Sequence, residues 1–559
     1  MSRMDVPFLV VGGGPVGMIE AILLAKQGRE CLVVERRSGP QTAPAAHVVS
    51  ARTFEICRQA GLDMQAIDAA CKDPADAGYV RFVTRLSGEE IGALPFERQG
   101  DECLRYTPTP LRNLSQHRFE PILADAVGKL PSVDLRYRWQ WEQSEQDADG
   151  VTSIVRDLDS GDAHEIRSRY VIAADGAGSR VRGSLGIEMQ GPPRIQSFLM
   201  IHFGANLREM VRDRPGVLYF VMDPEASGAF IAHDIDREWV YMHEFDPDQE
   251  SEEDYDDDRC RDIVLRAIGE EAPLTILHKG SWHMSSQVAD GMRKGRIFLA
   301  GDAAHRFPPT GGLGLNSGVQ DAHNLAWKLC AVEDGWATAS LLDTYAGERL
   351  PVARENTRQS LQNAVKMGLL PQALGTDVDP TSARLAESLA DPDRRRAVAA
   401  AIEEQGEHID MLGLQLGFSY AEGALVPEGS APPLDSAREY RPSAHPGARL
   451  PHAWLEGGEP RRSSLDWISF DHFSLISFGA HESWTEAVER VGKVPVRQLR
   501  VGIDLELPDD AWQTNCGVEP TGALLIRPDQ HVAWRAASLP EQPAASLTAA
   551  LGRIVGESS

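Results

Sequence analysis

Three short stretches of this sequence carry residues whose types and spacing could do chemistry. The first, Gly12-Gly13-Gly14-Pro15-Val16-Gly17, fits G-x-G-x-x-G. In such a turn Gly12 permits a tight bend, Gly14 lets backbone approach a pyrophosphate, and Gly17 lets helix and strand pack closely. The helix that Pro15 opens then offers free N–H groups and a positive dipole end to phosphates. Glu35 stands 18 residues beyond Gly17, with Arg36 beside it. A carboxylate there accepts hydrogen bonds from adenosine ribose hydroxyls. This unit alone suits NAD and FAD equally.

The second stretch separates them. Gly301-Asp302-Ala303-Ala304-His305 is followed by Pro308-Pro309-Thr310-Gly311-Gly312-Leu313-Gly314-Leu315-Asn316 and then a helical pattern. An aspartate at a strand end suits a polyol such as a ribityl chain. The glycine-rich entry sets bare N–H groups at a helix start, where an anionic reduced isoalloxazine is stabilised. Two anion-facing helix starts suit a long ligand with two polar zones, which favours FAD. The third stretch, Asp175-Gly176, sets another carboxylate after an apolar run.

These residues need a scaffold, and the flanking patterns supply one. Phe8-Leu9-Val10-Val11 and Cys31-Leu32-Val33-Val34 read as strands buried on both faces. A helix from about Val16 to Gln27 lies between them, stopped at Gly28. Apolar runs at 169–174 and 296–300 place Asp175 and Asp302 at strand C-terminal ends, where ligands bind on parallel sheets. Ser197 to Tyr241 is richer in β-branched and aromatic residues and predicts an inserted antiparallel sheet. From about Leu315 to Leu370 the pattern is helical, with Val319, Ala322, Leu325, Ala326 and Leu329 on one apolar face. Asp246 to Asp258 reads as a solvated acidic loop, and Pro427 to Pro451 as a linker to a separate domain of about 100 residues.

Composition narrows the function classes. A chain of 559 residues implies two to four domains. A net charge of −27 argues against nucleic acid, which requires a basic surface. Seven scattered cysteines without CxxC spacing read as free thiols, with no zinc or other metal site, in a reducing cytoplasm. No apolar run reaches membrane-spanning length, and the N-terminus enters its first strand without room for a signal segment. A cytoplasmic protein with no membrane partner is expected.

The glycine turn with Glu35-Arg36, the Asp175-Gly176 segment and the run GDAAHRFPPTGGLGLNSGVQDAHNLAWKL together resemble class A flavoprotein monooxygenases, the para-hydroxybenzoate and phenol hydroxylase family. The likeness covers roughly residues 5–365, including the helix at Tyr345-Ala346-Gly347-Glu348-Arg349-Leu350-Pro351. The tail, with Pro446 to His452 and Gly522 to Asp529, resembles the thioredoxin-like C-terminal domain of larger members. Lacking CxxC, it suits a structural or dimer-supporting role. The resemblance implies an α/β fold: a discontinuous Rossmann-type FAD-binding domain (1–185 and 285–370), a substrate-binding β-sheet domain (186–284), a helical segment and linker (371–440), and a thioredoxin-like domain (441–559).

It also assigns roles by position. Gly12, Gly14, Pro15 and Gly17 would line the pyrophosphate, and Glu35 and Arg36 the adenosine half. Arg52 matches an arginine near the FAD phosphates, and Gln116 a glutamine near the ribityl chain. Asp302 matches the ribityl-binding aspartate. Pro309 and Gly314 lie in the turn, and Leu315-Asn316 supply backbone amides near the pyrimidine ring. One departure is Ala45, where many relatives carry arginine, which unsettles the inner FAD and NAD(P)H contacts. The implied reaction takes electrons from NADH or NADPH and one oxygen atom from O₂ through a flavin hydroperoxide, and hydroxylates a phenolic or polyketide-like aromatic. A Baeyer–Villiger or epoxidising reaction on the same fold, a non-turnover flavin redox sensor and a nicotinamide-only dehydrogenase are the alternatives. The implied partners are a small aromatic substrate, O₂, NAD(P)H and a second copy in a homodimer. Tyr219, His233, Tyr241 and His243 are the substrate-side candidates. His283 lies in the same region, and His305 fits a structural role as well as a basic one. No residue stands out as the catalytic base.

Overall fold

The computed structural model describes residues 2–429, 436–455, 461–506 and 510–557. The first sheet is ordered Arg293–Lys294, Ile297–Leu299, Ala163–Ala173, Ser2–Val11, Cys31–Glu35, Val133–Tyr137. All neighbours after the first are parallel. Residues 8–11 and 31–34 are buried on both faces, as continuous apolar runs require. Ser2–Val11 lies centrally, with the next strand in sequence on one side and Ala163–Ala173 on the other. The order therefore reverses beside Gly12, the position where open parallel sheets bind ligands.

Helix Pro15–Lys26 packs against the long helix Leu313–Glu333. Both begin beside the strand ends, and they meet closely: a Cβ on Gly318 would stand 2.5 Å from Val16 Cγ2 and 2.9 Å from Gly301 Cα. The two glycine-rich turns are thus fixed relative to each other.

The second sheet departs from the expected insertion in one respect. Its order is Thr275–Met284, Gln196–Gly204, Glu238–Glu244, Gly228–Asp234, Leu218–Val221, Tyr79–Val83, Glu90–Pro95. Five strands come from 186–284, but the last two come from inside the segment assigned to the cofactor domain. Leu218–Val221 pairs with Tyr79–Val83 in parallel, so the sheet is mixed rather than antiparallel. Leu218 and Val80 are neighbours in space and far apart in sequence, which local patterning does not register.

The helical segment after residue 370 is also more than a spacer. Helices Ser382–Ala390 and Pro392–Glu403 bury Leu385, Leu389, Val398 and Ile402 against Val80, Phe82 and Leu94. Residues 430–435 of the expected linker lie outside the described residues.

The C-terminal sheet is ordered Val496–Arg500, Phe473–Ser477, Ala523–Ile526, Val532–Ala536, with one parallel and two antiparallel pairings. With helices His481–Glu489, Asp510–Cys516 and Pro543–Val555 it has the strand–helix–strand–helix–strand–strand–helix order of a thioredoxin-like domain. Buried charges join it to the rest. Arg527 donates to both carboxylate oxygens of Glu348 at 2.8 Å, and Arg449 to those of Glu55 at 2.8 and 2.6 Å. Among the described residues, no helix is long and apolar enough to cross a membrane.

Candidate functional site

At the first turn, Gly12 has φ +110°, and a Cβ there would lie 2.2 Å from the Ala174 carbonyl oxygen. Gly14 has nothing within 4 Å of its Cβ position, so its outer side is open. It is the N-cap of Pro15–Lys26 and leaves the helix without a side-chain cap. The first-turn N–H groups face a space that accepts an anion. Glu35 is buried, and its two oxygens accept the backbone N–H groups of Gly13 and Arg37, each at 2.8 Å. It locks the turn to the neighbouring strand while keeping lone pairs for ribose hydroxyls. Arg37, 3.3 Å from Glu35 and 3.1 Å from Glu120, is the arginine engaged here; Arg36 is exposed.

Asp302 sits in the turn after Ile297–Leu299. The turn is held by Asp321, whose Oδ2 accepts the Gly301 N–H at 3.0 Å and lies 2.6 Å from His305 Nε2. Arg349 donates to Asp321 Oδ1 at 2.7 Å. Burial pushes the Asp321 carboxyl up, but His305 and Arg349 outweigh it and hold it below the usual range. His305, fully buried and stacked on Phe307, is therefore structural. The Asp302 carboxylate accepts no hydrogen bond among the described residues and is exposed to the cleft. The protein around it displaces enough water to raise its pKa, against the pull of His305 and Arg306. A Cβ on Gly314 would lie 3.9 Å from Asp302 Oδ1, so the carboxylate faces the start of Leu313–Glu333.

That helix start is also uncapped by side chains. Its N-cap, Gly312, has φ +62°, and a Cβ there would collide with Val48 at 2.6 Å. Pro309 is exposed, and Leu315 half-buried. Asn316 accepts from the Ser50 N–H (2.8 Å) and Thr53 hydroxyl (2.7 Å) and donates to the Val48 and Gly312 carbonyls (3.0 and 2.6 Å). Its side chain pins the 48–53 segment, leaving only backbone for a ligand. Gln116 opens helix Gln116–Gly128 and donates to Glu120 at 2.7 Å.

Arg52 is the site residue that the structure places elsewhere. It is 1% exposed and donates to Glu55 (2.9 Å), Gln530 (2.7 Å) and the Asp529 carbonyl (2.9 Å). Both terminal nitrogens of this guanidinium are thus engaged by protein groups, two of them from the C-terminal domain. The sequence could not separate the two uses, because two of its partners, Asp529 and Gln530, lie nearly 480 positions away.

Three of the four substrate-side candidates lie on the face of the second sheet that helix Asp257–Ile268 covers. Tyr219 and Tyr241 are fully buried with Phe230 and Trp239 under helix Asp257–Ile268, and their hydroxyls donate to the Arg214 and Ala226 carbonyls at 3.0 and 2.8 Å. His243, two residues on from Tyr241, shares that face, and His283 is exposed on the edge strand. The opposite face carries Phe198, Met200, Phe220, Met222, Ile231 and Met242, all apolar and only half-buried. Phe220 stacks on Phe82 at 5.3 Å, in a cluster that includes Val48 at the helix start. His233 belongs on this side, after a register shift between Ala232 and Asp234. Strand alternation would have found this wall, had the other face not been equally apolar.

Residues 5–360 match the family model described as FAD binding domain, and residues 443–558 the one described as aromatic-ring hydroxylase, C-terminal. The chain is 34% identical to a tetracenomycin B2 monooxygenase-dioxygenase of Streptomyces olivaceus, over 99% of each chain. It is also 34% identical to a 2,4-dichlorophenol 6-monooxygenase of Cupriavidus pinatubonensis, covering 99% of this chain and 96% of that one. Among solved structures, the flavin-dependent monooxygenase PieE, in complex with FAD and substrate, superposes with a TM-score of 0.93 at 34% identity over the whole of both chains.

Proposed function

Since this chain belongs to the FAD-dependent aromatic monooxygenases, we propose that it uses NAD(P)H and O₂ to hydroxylate a phenolic or polyketide-like aromatic ring. The observation that carries this reading is the half-buried apolar face of Phe198, Met200, Phe220, Met222, Ile231 and Met242, whose Phe220 and Met222 share a cluster with Val48 at the uncapped start of Leu313–Glu333. Such a wall suits a flat apolar substrate and keeps water from the reacting ring.

The residues of the first turn would hold the pyrophosphate through backbone N–H groups, with Glu35 on the ribose. Asp302 would accept from the ribityl hydroxyls, and the N–H groups of Gly314 and Leu315 would face the flavin ring. Bound there, FAD supplies the electron and oxygen-transfer chemistry. Asp321, which accepts the Gly301 N–H, would hold the Asp302 turn in place for it.

The test is a panel of phenols and fused-ring phenolic polyketides, headed by 2,4-dichlorophenol, scored for stimulated NADH and NADPH oxidation with product structures determined. A hydroxylated ring is expected. An ester or lactone from ring-bond insertion would replace hydroxylation by the Baeyer–Villiger outcome, and flavin binding without stimulated oxidation on the whole panel would sink the enzymatic reading.

A further inference from the structure

Behind the apolar wall, two buried ring nitrogens have no protein partner among the described residues. They are His233 Nε2 and His117 Nδ1, on rings whose centroids lie 5.9 Å apart at 75°. Each ring's other nitrogen is engaged in the opposite direction. His233 Nδ1 lies 2.5 Å from the Ser115 hydroxyl, and His117 Nε2 lies 3.1 Å from Glu238 Oε1. His233 is 4% exposed, whereas Glu238 lines a surface cavity of about 650 Å³ that also reaches His233, Lys72 and Arg118. On its inner side His233 meets the half-exposed ring of His47, 5.8 Å away and next to Val48 of the flavin-side cluster.

Buried polar atoms in native proteins are almost always satisfied, and a site with several polar partners is one that holds water. We propose that one ordered water bridges His233 Nε2 and His117 Nδ1. The chain Ser115–His233–water–His117–Glu238 then conducts the substrate's phenolic proton from the cleft to the outer cavity. The path presupposes the phenolic substrate proposed above.

The donors line up in one direction. The Ser115 hydroxyl gives its proton to His233 Nδ1 as it receives the phenolic one. His233 releases the proton on Nε2 to the water, the water gives one to His117 Nδ1, and His117 Nε2 gives its own to Glu238. Proton count is conserved at every link, and the phenolate stays in the cleft. The surrounding charge supports passage over storage. Burial, together with His47, His117 and Lys72, keeps His233 well below its usual pKa despite Glu238, so it remains neutral between transfers. Burial raises the Glu238 carboxyl, but hydrogen bonds from His117, His202 and Arg118 outweigh it and hold it well below the carboxylate range. Glu238 therefore hands a proton on to water in the cavity.

Two measurements on the FAD-loaded protein test the path. The first is a high-resolution crystal structure, in which a water within hydrogen-bonding distance of both nitrogens is expected; its absence overturns the path whatever the substrate. The second mixes enzyme with 2,4-dichlorophenol in weak buffer and follows proton release with an indicator dye. His233→Phe, and Ser115→Ala as a milder break, should slow release at least tenfold at unchanged phenol affinity and flavin content. His117→Ala should do the same, and added imidazole, small enough for the cavity, should restore it. Release at the parental rate in His233→Phe, or slow release in His117→Ala that imidazole does not restore, overturns the path. The bridging water with no phenol turned over on the panel would instead sink the substrate reading and leave the wire standing.

Discussion

Replacing Glu348 by glutamine should unseat the C-terminal domain. Glu348 is fully buried on helix Thr344–Lys366, and its two oxygens accept five hydrogen bonds: two from Arg527 (2.8 Å each), one each from Lys328 (2.8 Å) and Asn324 (2.6 Å), and one from the Ala424 N–H (2.7 Å). Burial pushes its carboxyl up, but Arg527 and Lys328 outweigh that and bring it to about 2. Folding thus lowers this pKa from 4.5, so its stabilisation is complete above pH 4.5 and fades as pH falls towards 2. Each pKa unit is worth about 1.4 kcal/mol, which puts the effect at about 3 kcal/mol near neutrality. Removing one partner of a buried pair costs a comparable ~3–5 kcal/mol. Glutamine keeps the shape, yet it leaves Lys328 without an anion and turns an amide N–H₂ towards donors. Urea unfolding and limited proteolysis at pH 7.5 should show a loss of that size, with early release of the 443–558 unit. The gap to the parent should narrow as pH drops below 4.5. Adding Lys328→Met should cost less than the sum of the single changes, because that second uncompensated charge is gone. A Glu348→Gln protein within about 0.5 kcal/mol of the parent, an ordinary surface effect, would refute the reasoning.

Other perturbations probe the site. Asp302→Ala should lower flavin occupancy at purification and raise the FAD dissociation constant, because a charged hydrogen bond worth about 1.5–3 kcal/mol is lost; undiminished occupancy would remove Asp302 from the ribityl site. Arg52→Met should destabilise the fold by ~3–5 kcal/mol yet leave FAD affinity within about twofold; a large loss of affinity in a folded variant would return Arg52 to the phosphates. Glu20, buried in helix Pro15–Lys26 with both oxygens unpartnered among the described residues, has its pKa raised by burial and then by Asp321. A raised carboxyl destabilises the fold increasingly as pH climbs above 4.5, so Glu20→Gln should gain stability over the parent from pH 5 to pH 8; a constant difference across that range, measured by thermal unfolding, would contradict it.

The parts of the fold that could be read from sequence are those built from local pattern. The apolar runs around Val10 and Val33, the glycine turn and the strand-end position of Asp302 each combine a residue type with a spacing that few structures satisfy. What escaped reading depends on distance or on facing. Arg52 and Arg527 are buried charges that each have one local partner, Glu55 and Asp529, and complete their pairing across domains, with Gln530 and Glu348. Tyr219 and Met200 stand on opposite faces of one sheet, and both faces are apolar: one is covered by helix Asp257–Ile268 and the other is only half-buried. Alternation therefore separates the two faces without saying which is which. The strands at 79–95 join the sheet through a parallel pairing that no local signal announces. Lys328 was the available clue, a charge inside the buried stripe of Leu313–Glu333, where an unpaired ammonium could not persist.

The joint between Glu348 and Arg527 also sets an order of events during synthesis. Their positions are 179 residues apart, and a ribosome adding ~5–20 residues per second needs roughly 9–36 s to cover that stretch. Until those later residues are made, Glu348 has Lys328 beside it but not Arg527, and Glu55 has Arg52 but not Arg449. The nascent flavin domain must keep that surface wet until Arg527 arrives, so the last desolvation step there waits for the C-terminal sheet.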